Sequence, residues 1–122
     1  MNYNNLKMKA FELLKKYGRD VTVRISVKGS YDPSTDSYST TTTDYISYGV
    51  VEEYSNAEIG GNSLIKIGDK KLMLGVNSLP ELTNQMDLSV AIGFDLWKVI
   101  EVKPIQPAEV IIYYEIQIRK IQ

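Results

Sequence analysis

The side chains best suited to chemistry in this chain are carboxylates, and their spacing limits what they can do. Asp32-Pro33-Ser34-Thr35-Asp36 sets two acids around a serine, the opening rhythm of a calcium-binding loop. The full loop needs glycine at its sixth position and glutamate at its twelfth. Ser37 and Thr43 stand there instead, and a solvated hairpin turn accounts for the same residues without a metal. Gly60-Gly61-Asn62-Ser63 suggests a phosphate-cradling loop. It lacks the terminal Gly-Lys-Ser/Thr, and extended chain follows where a helix should begin. Glu52 and Glu53 are adjacent in a strand-like run, so they point to opposite faces and cannot flank one substrate. No other carboxylate pair stands out for the acid–base division of a glycosidase.

The missing residue types narrow the chemistry further. The chain has no histidine and no cysteine. That removes the usual general base near neutral pH, the commonest zinc ligand and any Ser-His or Cys-His nucleophile pair. No disulfide framework is available either, which suits a reducing compartment. The reading is therefore of a protein that is not an enzyme, with no catalytic residues, cofactor or metal, acting through its surfaces. The 122 residues suit one domain spanning 1–122. The N-terminus lacks the apolar core of a secretory signal, and no apolar run reaches membrane-spanning length, so no membrane partner is expected.

Charge is distributed in blocks. Residues 1–30 hold seven basic side chains against Glu12 and Asp20, and residues 31–62 hold six acids and no base. The basic set includes Lys7, Lys15, Lys16, Arg19, Arg24 and Lys28; the acids are Asp32, Asp36, Asp44, Glu52, Glu53 and Glu58. These twelve are the candidate subunit-interface residues. Either the blocks form two opposed patches that meet between subunits, or the fold brings them together and cancels them. Nine tyrosines raise the prospect of base stacking on a nucleic-acid-binding barrel. However, Tyr31, Tyr38, Tyr45, Tyr48 and Tyr54 lie in the acidic block, which repels phosphate. Packing at strand edges and interfaces suits them better.

The elements that would carry these residues are legible from periodicity. Leu6, Ala10, Leu13, Leu14 and Tyr17 recur at helical spacing over 4–17, with Asn4 or Asn5 as N-cap and Gly18 as a left-handed C-cap. From Val21 the period becomes two, and Val21, Val23, Ile25 and Val27 share one strand face. The polar run from Ser30 to Tyr45 reads as a long hairpin with its tip at 32–36, and Ile46–Glu52 resumes a strand. Residues 53–63 read as a loop. Ile65–Ile67 and Leu72–Leu74 around Gly68-Asp69-Lys70 read as a compact hairpin. Residues 76–86 are irregular. Leu88–Ile92 and Leu96–Val102 are strands joined at Gly93, with Trp97 as a core anchor. Pro104 and Pro107 bracket a connection, and Val110 to Ile118 forms the closing strand. The fold class is mainly β: an antiparallel barrel or sandwich of six to seven strands over 20–119, one N-terminal helix and long polar loops.

The order of these segments resembles a known family. Y-G-R-D-V-T-V-R is followed by Y-D-P-S-T-D, then G-V-V, I-x-I-G-D-K-K-L-x-L, D-x-x-x-V, W-K-V-I-E-V, P-A and I-I-Y-Y-E-I-Q-I-R. From about Leu6 to Arg119 this resembles the small head–tail connector proteins of tailed bacteriophages and prophages, of head-closure or tail-adaptor type. The resemblance implies a small barrel with a peripheral helix. It also implies assembly into a homo-oligomeric ring between portal and tail proteins. DNA would pass through that ring without sequence-specific binding. The protein would reside in the virion, and in the host cytoplasm during assembly. Gly68, Asp69 and Lys70 match the family's tight hairpin, Trp97 its penultimate-strand aromatic and Ile112 to Arg119 its closing strand. Residues 32–44 and 55–62 match its inter-subunit or channel loops. The reading from the residues alone keeps a ligand- or single-stranded nucleic-acid-binding barrel as the alternative, and a carboxylate-based enzyme behind it.

Overall fold

Alternation of apolar and polar residues builds most of the structure, a computed structural model that describes residues 3–61, 64–76 and 79–121. Helix α1 (Tyr3–Tyr17) is followed by β1 (Arg19–Asp32), β2 (Ser37–Glu53) and a short α2 (Asn56–Gly61). Then come β3 (Lys70–Gly75), β4 (Asp87–Ile92), β5 (Asp95–Ile105) and β6 (Tyr113–Lys120). The six strands close an antiparallel barrel in the order β1-β2-β3-β6-β5-β4. Closure leaves the barrel wall without edges, which is how small all-β folds escape edge-to-edge aggregation.

The predicted strand faces point inward within the barrel, but Val27, expected to share the face of Val21, Val23 and Ile25, is exposed because β1 pairs with β4 only as far as Ser26. Val21, Val23, Ile25, Leu72, Leu74, Leu88, Val90, Ile92, Val102, Tyr114, Ile116 and Ile118 form one buried core, with Trp97 half-buried against it. Two buried hydroxyls are satisfied. Ser47 Oγ donates to the Gly75 carbonyl at 2.8 Å, and Tyr114 Oη accepts from the Leu82 N–H at 3.1 Å. Tyr114→Phe removes that acceptor and strands a buried donor. The expected loss is about 1–2 kcal/mol, read as a lower urea midpoint at unchanged slope.

Several expectations are corrected. Ile65–Ile67 is not a strand: Gly68 turns with φ 96° and Ile67 is 91% exposed. The reason is topological. β3 has β2 on one flank and β6 on the other, so no edge remains for a local hairpin, and the strands number six. Pro104 lies inside β5, paired with Tyr114 of β6. Val102, two residues earlier, directs both its N–H and its C=O away from β6 to the side chain of Asn84. Pro104 has the same orientation, so its missing N–H falls outside the β5–β6 ladder. The closing strand begins at Tyr113, with Val110 before it.

Two further corrections concern the helices. Residues 53–63 are not all loop, because α2 forms within them (62–63 lie outside the described residues). Ser55 and Glu58 make a reciprocal capping box. The Glu58 N–H donates to Ser55 Oγ at 3.1 Å, and the Ser55 N–H to Glu58 Oε1 at 3.2 Å. Asn4 and Asn5 lie inside α1. The helix docks through Leu14 and Phe11, whose ring meets Tyr48 edge-on at 5.7 Å, while Leu6, Leu13 and Tyr17 stay exposed. Gly18 does not take a left-handed φ. It is needed because a Cβ there would strike the carbonyls of Leu14 and Gly49.

Candidate functional site

β1 and β2 are longer than the barrel needs. β1 pairs with β4 only over Thr22–Ser26, and β2 with β3 only over Gly49–Glu53. Beyond those limits the two strands pair only with each other among the described residues, out to Asp32 and Ser37. The result is a two-stranded arm. Its tip is an Asx turn: Asp32 Oδ1 accepts from the Ser34 N–H at 3.0 Å and the Ser34 hydroxyl at 2.7 Å. Asp36 supplies the left-handed residue, φ 52°, a conformation that aspartate tolerates. A clasp of side chains holds the arm below the tip. The Tyr31 and Tyr38 rings lie 5.1 Å apart, Lys28 Nζ sits 3.8 Å from the Tyr38 ring centre, and the Tyr31 hydroxyl donates to Asp36.

The strand register decides where the two charge blocks meet. Arg24 faces Asp44 across β1 and β2 and donates to it through Nε at 3.0 Å and Nη2 at 3.3 Å. Glu53 pairs with Lys70 at 2.7 Å and Glu58 with Lys71 at 3.1 Å, bases from outside the basic block. Glu52 lies opposite Lys71 in the β2–β3 register. Lys7, Lys15 and Lys16 ride on α1, with Lys15 5.3 Å from the Tyr48 ring and Lys16 5.3 Å from the Tyr17 ring. Arg19 begins β1, while Asp32 ends it. These lie at opposite ends of one strand, about 40 Å apart at the rise of extended chain. Part of the charge is therefore matched within the chain. The remainder is polarised along the arm, with a basic helix at its root and Asp32 and Asp36 at its tip.

Two other surface features were not foreseen. An apolar groove of about 610 Å³ runs between α1 and the β5–β6 connection, lined by Leu6, Ala10, Leu13, Pro104, Ile105 and Ile112 among others. The second is a clamp on β6. Asp69, 1% exposed, accepts from Arg119 Nε and Nη2 at 2.9 Å each, from Gln117 Nε2 at 2.9 Å and from the Lys66 N–H at 2.9 Å. Burial alone raises the Asp69 carboxyl. The Arg119, Lys66 and Gln117 bonds and the Arg119 charge outweigh it and hold the group at about 2. The capping box had a readable Ser-x-x-Glu signature. The clamp had none, because its members lie fifty residues apart.

Two side chains beside α2 have shifted titrations. Burial, reinforced by Glu115, Asp69, Glu58 and Glu101, pushes the Tyr54 phenol to about 12, away from the range of a base at neutral pH. The Glu58 carboxylate raises Lys71, the reverse of an activated amine. The surface offers a closed wall, a projecting strand pair and an end-to-end charge polarity. The chain thus belongs to the class of closed six-stranded antiparallel barrels with an N-terminal helix. Neither a family model nor a curated protein matches it.

Proposed function

We propose that this chain is a structural connector of a tailed-phage or prophage particle, assembling with copies of itself between the portal and the tail around the DNA path. The observation that carries the reading is the arm: paired strands with an acidic tip, projecting from a closed barrel whose root carries a basic helix. A ring needs two different surfaces that meet head to tail. The arm tip, with Asp32 and Asp36, and the root, with Lys15, Lys16 and Arg19, are two such surfaces on one chain. Arg24–Asp44, Glu53–Lys70 and Glu58–Lys71 are internal pairs, so they contribute to subunit shape more than to subunit contact. The segment order that resembles the connector family supports the same reading, and no cofactor or metal enters it.

The alternative, a barrel that binds single-stranded nucleic acid, draws on the exposed rings of Tyr31 and Tyr38. Lys28 already covers Tyr38, and Asp32 and Asp36 flank the pair, which disfavours a phosphate backbone there. The connector reading predicts the outcome of deleting the gene from an inducible prophage that carries it. Electron microscopy is expected to show DNA-filled heads and separate tails, with joined particles restored by the gene in trans. Joined, infectious particles in the deletion strain would overturn the reading.

A further inference from the structure

The barrel wall has no edges, but the arm has two, and they are built differently. The β1 flank is interrupted. Gly29 and Ser30 form a bulge between the Lys28–Thr40 and Tyr31–Tyr38 pairs, and Lys28 stands at its base. Bulges and lysines are the devices that keep an edge from recruiting another strand. The β2 flank from Ser37 to Ile46 has neither device. Its sequence, Ser-Tyr-Ser-Thr-Thr-Thr-Thr-Asp-Tyr-Ile, contains no proline, glycine or lysine. Its only charge, Asp44, is already held by Arg24. None of the described residues pairs with this flank. It is a β-prone edge without a bulge of its own, longer than an average strand.

We infer that this edge is covered by the same edge of a second copy, in an antiparallel pair with a two-fold axis at Thr42. Three observations select that occupant. First, an edge without a bulge pairs in continuous register with another such edge, and the arm's other flank is bulged, so the matching surface is β2 itself in another copy. Second, the register centred on Thr42 sets Tyr38 opposite Ile46 of the second copy. Both are large and exposed, at 50% and 63%, and aromatic–β-branched pairs stabilise neighbouring strands. In the same register Asp44 faces Thr40, and no like charges oppose one another. Third, antiparallel arms carry each acidic tip to the other copy's basic root. Each tip then points toward the end of the second copy's β2 where the Tyr48 ring lies 5.3 Å from Lys15, while Gly75 already lies beside the Tyr48 backbone. The arrangement joins two barrels through a four-stranded sheet. It concerns the free chain and does not rest on the connector reading. A strand pair so covered would have to open before the arm could reach a different neighbour.

Sedimentation velocity across a concentration series tests this on the full chain. The wild type is expected to show a reversible monomer–dimer equilibrium. Thr42→Lys places like charges together at the axis and is expected to weaken the dimer about fivefold, and Thr42→Glu similarly. An equimolar mixture of the two variants is expected to dimerise at least as tightly as the wild type. Thr42 is exposed on the arm, so the variants keep the barrel, which their circular dichroism and melting temperature verify. A wild type that stays monomeric throughout would overturn the inference. So would an oligomer that Thr42→Lys leaves unweakened, or a mixture that dimerises no better than either variant alone. None of these results bears on the particle phenotype of the deletion strain, so the two proposals fail separately.

Discussion

Gly18→Ala is expected to destabilise the fold by about 3 kcal/mol and to lower its melting temperature by about 10 °C. Gly18 ends α1 by donating its N–H to the Leu14 carbonyl at 2.9 Å, and the chain turns directly into β1. An added Cβ falls against the carbonyl oxygens of Leu14 and Gly49 and 2.7 Å from the Gly49 carbonyl carbon. All three are backbone atoms, so no side chain can rotate out of the way. Either α1 lifts from β2 or its last turn unwinds, and the first option also pulls Phe11 from Tyr48 and Gly75. Gly60→Ala is the control of opposite sign. No atom lies within 4 Å of a Cβ at that position. Gly60 sits in α2, where alanine is the better helix former, so the change is expected to be neutral or stabilising. Urea denaturation of both variants checks the contrast. If Gly18→Ala kept the wild-type midpoint, close backbone contact would not be what fixes glycine there.

That contrast shows what a sequence signals and what it hides. A glycine after a helix invites the left-handed C-cap reading, and the position was legible. The reason was not, because part of the constraint comes from Gly49, thirty-one positions away in sequence and brought close only by the fold. The same division runs through the fold. Inward-facing sets such as Val21, Val23 and Ile25, or Leu88, Val90 and Ile92, are local patterns, and the core follows them. The Asp-Pro-Ser-Thr-Asp turn is local chemistry, and it forms as expected. Ile65 and Ile67 alternate just as well, yet no strand forms there, because β2 and β6 already occupy both flanks of β3. Charge blocks behave likewise. Their composition is legible, but pairing Arg24 with Asp44, and Glu53 and Glu58 with Lys70 and Lys71, is a property of register. Only after register removes the internal pairs does the end-to-end polarity of the arm emerge.

Asp69→Asn is expected to cost about 3 kcal/mol at neutral pH, with a pH dependence that identifies the cause. The carboxylate accepts from Arg119, Gln117 and the Lys66 backbone, four bonds to two oxygens. An asparagine replaces one oxygen with a donor, so an N–H must face other N–H groups, and Arg119 loses its counter-charge. The clamp that ties the 64–69 segment to β6 is then released at its buried end. The folded-state carboxyl lies at about 2, below its ordinary 3.8. A group depressed in the folded state contributes stability that is fully present above the unfolded value and lost as pH falls through the folded one. The contribution should therefore be whole above about pH 4 and largely gone at about pH 2, and a shift of this size corresponds to about 2–3 kcal/mol. Asp32, Asp44, Glu53 and Glu58 are also lowered, chiefly by their bonds to Ser34, Arg24, Lys70 and Lys71. They act equally in both proteins and cancel in the difference. Urea unfolding of wild type and variant from pH 7 to pH 2 is expected to show two curves that converge in acid. A gap of constant size down to pH 2 would mean that the variant is destabilised by packing, and that the Asp69 charge does not secure the clamp.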